Sequence, residues 1–153
     1  MYSNQRISVF GGRDITPEVY EDTLEIGRRL ADEGYLVFCG GGAGVMEAIA
    51  KGVHDEGGIV VGVLKGRDLE EGNKYLTVPI ATGIGIARNA ILAYNCDAAI
   101  AISGQYGTLS EIAYAFQLKK PVIGYKTWDI DSVVCADSPS DVVIKLKKEL
   151  KNV

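Results

Sequence analysis

The 153-residue sequence predicts an α/β protein, a three-layer α-β-α arrangement in which helices cover both faces of a doubly wound, mainly parallel sheet. Three observations carry that expectation. Apolar runs of strand length alternate with helix-periodic segments along the chain, at the spacing of right-handed βαβ crossovers. The runs 59–64 and 98–102 are apolar at nearly every position, as strands buried on both faces are. Glycine accounts for 19 of 153 residues, about 12% against a usual ~7%, and it clusters where strands give way to helices.

The elements follow in order. Ile7 to Phe10 reads as a strand, stopped by Gly11-Gly12. Thr16 caps and Pro17 opens a helix whose apolar face is Val19, Leu24, Ile26, Leu30 and Ala31, and Gly34 ends it. Tyr35 to Cys39 is the second strand. Gly40-Gly41-Gly42-Ala43-Gly44 leads from it into a helix carrying Val45, Met46, Ala48, Ile49 and Val53, closed by Gly57-Gly58. Ile59 to Leu64 is the third strand, Lys65 to Lys74 a polar loop, Tyr75 to Pro79 a short edge strand, and 84–95 a helix. Ala98 to Ile102 is a strand running into Ser103-Gly104-Gln105-Tyr106-Gly107-Thr108 and a helix from Leu109 to Leu118. Pro121 to Tyr125 is a further strand, and 140–153 a helix with Lys145, Lys147, Lys148 and Lys151 on a solvated face. No repeat or linker interrupts this order, so residues 1–153 read as one domain.

Composition narrows the function. A net charge of −4 and a pI near 5 leave no basic footprint for nucleic acid and disfavour an anionic membrane surface. No apolar run approaches the ~18 residues of a membrane span. The opening MYSNQRISVFGG lacks the apolar stretch of a leader and reads into the first strand. Cys39, Cys96 and Cys135 are odd in number and far apart, which fits a reducing cytoplasm better than a disulfide framework. His54 is the only histidine, so neither a His-based metal site nor a Ser-His relay is expected, and no metal site is assigned.

Both large glycine clusters fall at the carboxyl end of a strand where a helix begins, the edge at which open parallel sheets bind ligands. Helix N-termini there offer free N–H groups and partial positive charge, and glycine lets the backbone come close to a phosphate. Loops 40–44 and 104–108 are therefore candidate phosphate cradles. The candidate ligand-binding residues are Gly11 and Gly12; Gly41, Gly42, Gly44 and Met46; and Gly104, Gln105, Tyr106, Gly107 and Thr108, the last as a hydroxyl donor. Such turns also arise where a helix merely packs tightly on its sheet.

Three charged residues are candidates for chemistry: Arg88, Glu111 and Glu47, the last of which can equally serve only the dipole of its own helix. Arg88 offers a planar fork for phosphate or carboxylate, and Glu111, one turn into the helix after the second cradle, offers a general base or a partner for a ribose hydroxyl. The plainer alternatives are a surface ion pair for Arg88 and a dipole-complementing acid for Glu111. The dinucleotide pattern G-x-G-x-x-G fails at Val45, and Leu64-Lys65 ends the third strand where a ribose-binding acid would stand, so NAD is disfavoured. Walker and nucleophile-elbow motifs are absent. A mononucleotide-sized phosphorylated ligand remains.

C-G-G-G-A-G-V-M-E at 39–47 resembles the glycine loop of the Lonely Guy proteins, phosphoribohydrolases of cytokinin riboside 5′-monophosphates long mislabelled lysine decarboxylases. S-G-Q-Y-G-T-L-S-E at 103–111 is similar to that family's P-G-G-x-G-T-x-x-E motif, and Arg88-Asn89 resembles its Arg-Lys pair. The resemblance covers about residues 6–125 and maps the family's catalytic Arg and Glu onto Arg88 and Glu111. Ser103, Gln105 and Asn89 depart from the motifs. With the ISVFGG opening and the A-D-S-P-S-D-V segment at 136–142, they bring the chain closer to the sister branch of molybdenum cofactor carrier proteins. The resemblance implies a Rossmann-like fold and a homodimer or homotetramer. It also implies a carrier-like protein for a phosphorylated nucleotide or pterin, the molybdenum cofactor included, with no other cofactor required. Hydrolysis of a nucleoside 5′-monophosphate to free base and ribose 5-phosphate is the alternative, and a DNA-processing relative acting through partner proteins the third reading.

Overall fold

The computed structural model describes residues 5–152; Met1 to Asn4 of the predicted opening and Val153 of the predicted last helix lie outside them. Thr16 caps the first helix as its sequence implies. Its Oγ1 accepts from the Val19 N–H at 3.2 Å, Pro17 follows, and Gly34 (φ 79°) donates its N–H to Ala31 O at the other end. That helix, α1 (Pro17–Asp32), is joined by α2 (Val45–Asp55), α3 (Arg88–Tyr94), α4 (Tyr106–Gln117) and α5 (Pro139–Lys151). The strands are β1 (Arg6–Gly11), β2 (Leu36–Cys39), β3 (Val60–Leu64), β4 (Val78–Ala81), β5 (Ala98–Ile102), β6 (Val122–Tyr125) and β7 (Val134–Ala136).

All seven strands pair in parallel, in the order β4-β3-β2-β1-β5-β6-β7. Helices α1, α2 and α5 pack on one face and α3 and α4 on the other, which completes the predicted three layers. The period-2 alternation of β1 feeds both cores. Ile7 and Val9 join Ile26, Ile49 and Leu146 on the first face, and Phe10 joins Leu92 and Ile112 on the second. Ser8, on the second face and buried, is satisfied by donating Oγ to Leu92 O at 2.7 Å. Helices α1 and α2 cross almost backbone to backbone, because a Cβ on Gly27 would lie 2.6 Å from Ile49 O and 3.1 Å from Gly52 Cα.

The structure differs from expectation at the weaker elements. The edge strand β4 lies at 78–81 rather than 75–79, and β7 pairs with β6 where no strand is expected. The helix expected over 84–95 is a single 3-10 turn, Gly85–Ala87, followed by α3, because Gly83 and Gly85 both take positive φ. Helix α4 begins three residues early, so Tyr106, Gly107 and Thr108 form its first turn instead of a loop. All three cysteines are free, Cys39 and Cys96 buried and Cys135 exposed, and His54 lies on the surface of α2. No helix among the described residues is long and apolar enough to cross a membrane.

Candidate active site at the strand switch point

The strand order places a topological switch beside β1. The chain lays β2, β3 and β4 outward on one side, then returns through α3 to lay β5 against the other. Beyond the carboxyl ends of β1 and β5 the chain leaves toward opposite faces of the sheet, and a cleft of about 380 Å³ opens there, in the size range of small-molecule sites. Its floor is Gly11-Gly12 and Ser103-Gly104. The two turns touch, since a Cβ on Gly12 would lie 3.1 Å from Gly104 Cα. Ser103 takes φ 51°, rare without glycine. It is pinned by Thr127 Oγ1, which donates to its carbonyl at 2.7 Å, and by its own N–H on Tyr125 O.

The two predicted cradles are not equivalent. At α4 the cap residue Gln105 makes no side-chain capping bond. Its carbonyl accepts from Leu109 N–H at 3.0 Å and from the Trp128 indole N–H at 2.9 Å. The first N–H groups of the helix, at Tyr106, Gly107 and Thr108, therefore have no partner within it, and Thr108 is buried beside Gly104. At α2 the N-terminus is tied into the fold. Val45 N–H donates to Gly12 O at 2.9 Å, and Gly44 (φ 69°) presses on the carbonyls of Gly12 and Arg13. Gly41 packs against Leu64 and Leu76.

Of the predicted ligand-binding residues, Gly11, Gly12, Met46, Gly104, Gln105, Gly107 and Thr108 line the cleft together with Arg88 and Glu111. Gly41, Gly42 and Gly44 stand outside the lining, as does Tyr106, whose ring is 80% exposed and faces Trp128 at 6.2 Å. Sequence reasoning missed Arg13, Asp14 and Lys65, which also line it. Their signal was positional: Arg13 and Asp14 follow the Gly11-Gly12 turn of β1, and Lys65 follows β3 directly. Asn89 is buried and donates Nδ2 to Ser110 Oγ at 3.3 Å, while Ser110 donates to Gly107 O at 2.6 Å. The residue that departs from the Lonely Guy pattern thus ties α3 to the first turn of α4.

Arg88 and Glu111 carry the electrostatics. Arg88 is 9% exposed; its Nη1 donates to Val63 O at 3.2 Å, and its Nε is buried without a hydrogen-bond partner. A Cβ on Gly40 would collide with that guanidinium, so the glycine makes its seat. Burial pulls the Arg88 pKa down, while Glu111 and Cys39 push it back; a guanidinium stays charged throughout. Glu111 is 7% exposed, and burial pushes its carboxyl up to about 8, with Arg88 countering only in part. At neutral pH Glu111 is therefore an uncharged acid, and it leaves the Arg88 charge uncompensated. A protein of net charge −4 has gathered Arg13, Lys65 and Arg88 around one cleft. Among the described residues, no group of three or more His, Cys, Asp or Glu could hold a metal ion.

The SLOG cluster4 family model matches residues 4–152. The chain belongs to the SLOG cluster4 family. It falls within the superfamily of Lonely Guy and molybdenum cofactor carrier proteins. This SLOG cluster4 chain is 40% identical over 121 residues to an uncharacterized protein of Archaeoglobus fulgidus, covering 79% of its own length and 80% of that protein's. It is 37% identical over 99 residues to a cytokinin riboside 5′-monophosphate phosphoribohydrolase of Oryza sativa subsp. japonica, covering 61% of itself but only 40% of the relative. In structure it is similar to the molybdenum cofactor binding protein of Rippkaea orientalis, with TM-score 0.90, 30% identity, and 95% and 97% of the two chains covered. It is also similar to the molybdenum cofactor carrier protein of Chlamydomonas reinhardtii, with TM-score 0.89, 28% identity, and 97% and 99% covered. DNA processing protein A of Streptococcus pneumoniae shares the fold alone, at 16% identity and TM-score 0.74, over 93% of this chain and 62% of that one.

Proposed function

We propose that this SLOG cluster4 protein binds a small phosphorylated nucleotide or pterin at the β1–β5 crevice, its phosphate on the open N-terminus of α4 beside Arg88. The buried Arg88 guanidinium carries this reading, with its Nε unpartnered and its charge uncompensated by Glu111. An unsatisfied buried donor costs roughly 1–3 kcal/mol, and a bound anion relieves that cost. Arg13 and Lys65 supply further positive charge, and the likeness to two proteins named for the molybdenum cofactor extends the ligand class to a phosphorylated pterin. The residues fit that cofactor through its phosphate, and it would be cargo, held and shielded. Calorimetric titration with AMP, GMP, inorganic phosphate and a phosphorylated pterin tests the reading. One saturable site, competed by phosphate, is expected; absence of binding by all four overturns it.

Hydrolysis of a nucleoside 5′-monophosphate is the second reading, favoured by Arg88 and Glu111 sharing one cleft. There Arg88 would hold the 5′-phosphate. The Glu111 acid, with its proton in place, would donate to the ribose or to the departing base. The chain spans less than half of the phosphoribohydrolase it matches, so the activity itself is part of the proposal. Release of free base and ribose 5-phosphate from AMP, followed by chromatography, decides between carrier and hydrolase.

The reading includes a homodimer through α3 and α4. Tyr94, Tyr106 and Tyr114 are exposed on these paired helices and Ile86 on the 3-10 turn that leads into α3, and the stretches 82–96 and 103–118 hold no charged residue besides the buried Arg88 and Glu111. For an acidic chain, an uncharged face is where a second copy meets least repulsion. Light scattering is expected to give twice the 16.4 kDa chain mass, and a monomer mass would exclude the dimer.

A further inference from the structure

We infer that Asn73, outside the cleft, is a positioning residue that orients the glycine turn of residues 40–44 as an anion receptor; the inference rests on the anion-binding reading above. Asn73 lies in the connection between β3 and β4, 31 residues from the turn it holds. Its backbone N–H donates to Gly41 O at 2.8 Å. Its carboxamide Nδ2 donates to Gly42 O at 3.0 Å, with Gly41 O at 3.3 Å and Met46 O at 3.5 Å also in reach. Its Oδ1 accepts from Tyr75 N–H at 3.1 Å, which fixes the amide with nitrogen toward the turn and oxygen away from it. One half-buried side chain thus collects the carbonyls of two successive glycines, a turn with no side chains of its own to set its orientation.

Peptide planarity gives this arrangement its consequence. In a trans peptide the N–H points opposite to the preceding C=O. With the Gly41 and Gly42 carbonyls drawn to Asn73, the N–H groups of Gly42 and Ala43 are turned away from it. Among the described residues the Gly42 N–H donates to the Met46 thioether sulfur, at 3.4 Å. Thioether sulfur is a weak acceptor that a phosphate oxygen readily replaces. Met46 and Arg13 line the cleft, and a Cβ on Gly42, itself outside the lining, would lie 3.5 Å from Arg13 Nη2, so the turn borders a cation of the site. The same turn begins at Gly40, which seats the Arg88 guanidinium. Loosening the turn therefore disturbs both an N–H donor and the buried arginine, although Asn73 reaches neither the cleft nor a ligand in it.

The experiment compares wild type with Asn73→Ala, Asn73→Asp and Asn73→Ser. Asn73→Asp keeps the acceptor for Tyr75 but sets an oxygen against the glycine carbonyls, whereas Asn73→Ser returns a single hydroxyl donor. Amide hydrogen exchange at residues 42 and 43, read by NMR without ligand, reports the turn; titration with inorganic phosphate and AMP reports the site. Faster exchange and roughly tenfold weaker binding are expected for Ala, a larger loss for Asp, and partial recovery for Ser, at little change in melting temperature. Unchanged exchange in Asn73→Ala and Asn73→Asp overturns the inference, and so does wild-type affinity in a variant whose turn has loosened. If the turn loosens while even wild type binds neither probe, Asn73 still holds the turn and the anion-binding reading alone falls.

Discussion

Arg88→Met is expected to weaken binding of AMP and of inorganic phosphate by roughly 100-fold while leaving the fold intact, because truncating one partner of a buried charged contact costs about 2–5 kcal/mol. Methionine fills the space of the arginine stem and leaves empty only the guanidinium's seat over Gly40, so no large void opens. The variant is expected to melt no lower than wild type without ligand. It removes a buried charge that donates to Val63 O and whose Nε, among the described residues, is unpartnered, and such a charge destabilises a protein until something answers it. Loss of affinity at equal or higher melting temperature separates a ligand-binding arginine from a structural one. Arg88→Lys is expected to recover little, since an ammonium cannot reach Val63 O and a phosphate together as a guanidinium fork does. Wild-type affinity in Arg88→Met would remove the observation on which the functional reading stands.

The parts of this fold that can be read from sequence are those whose signal is local. Strands β2, β3, β5 and β6 are buried along nearly their whole length and appear as short apolar runs. Strand β4 exposes Val78 and Ile80 and carries Pro79, and β7 is three residues paired on one side only, so neither shows a clean pattern. The first turn of α4 reads as loop for a tertiary reason. Its cap lacks a capping side chain, and the carbonyl of that cap is held instead by the indole of Trp128, 23 residues downstream. The site divides in the same way. Glycines at strand ends and the pair Arg88 and Glu111 are legible from spacing and motif. Arg13 and Lys65 belong to the cleft only because the strand order sets β1 beside β5 and carries β3 to the same edge. Asn73 lies in a stretch that reads as bare polar loop, and nothing short of the fold brings it to Gly41 and Gly42.

Glu111→Gln is expected to flatten two pH profiles at once. The carboxyl titrates near its usual 4.5 in the unfolded chain and at about 8 in the folded one, because burial penalises the charged form. Between those values the folded state keeps a proton that the unfolded state has lost, so stability is full below 4.5 and falls as pH rises through about 8. The loss attributable to this side chain is on the order of 4 kcal/mol across the window. Glutamine has nearly the same shape and no proton to lose, so Glu111→Gln is expected to match wild type near pH 5 and to unfold at higher urea near pH 9. Ligand affinity follows the same group with its own consequence. Above pH 8 the newly formed Glu111 carboxylate competes with phosphate for Arg88, so wild-type binding weakens there while the glutamine variant holds steady. The second ionisation of a phosphate monoester, near pH 6, is complete before that window opens. The variant also divides the two functional readings. A carrier keeps its affinity at neutral pH when Glu111 becomes glutamine, whereas a phosphoribohydrolase binds its nucleotide and no longer releases the base. Parallel urea midpoints for wild type and Glu111→Gln from pH 5 to 9 would mean that Glu111 is ionised in the folded protein at neutral pH, and that Arg88 already has its counter-charge.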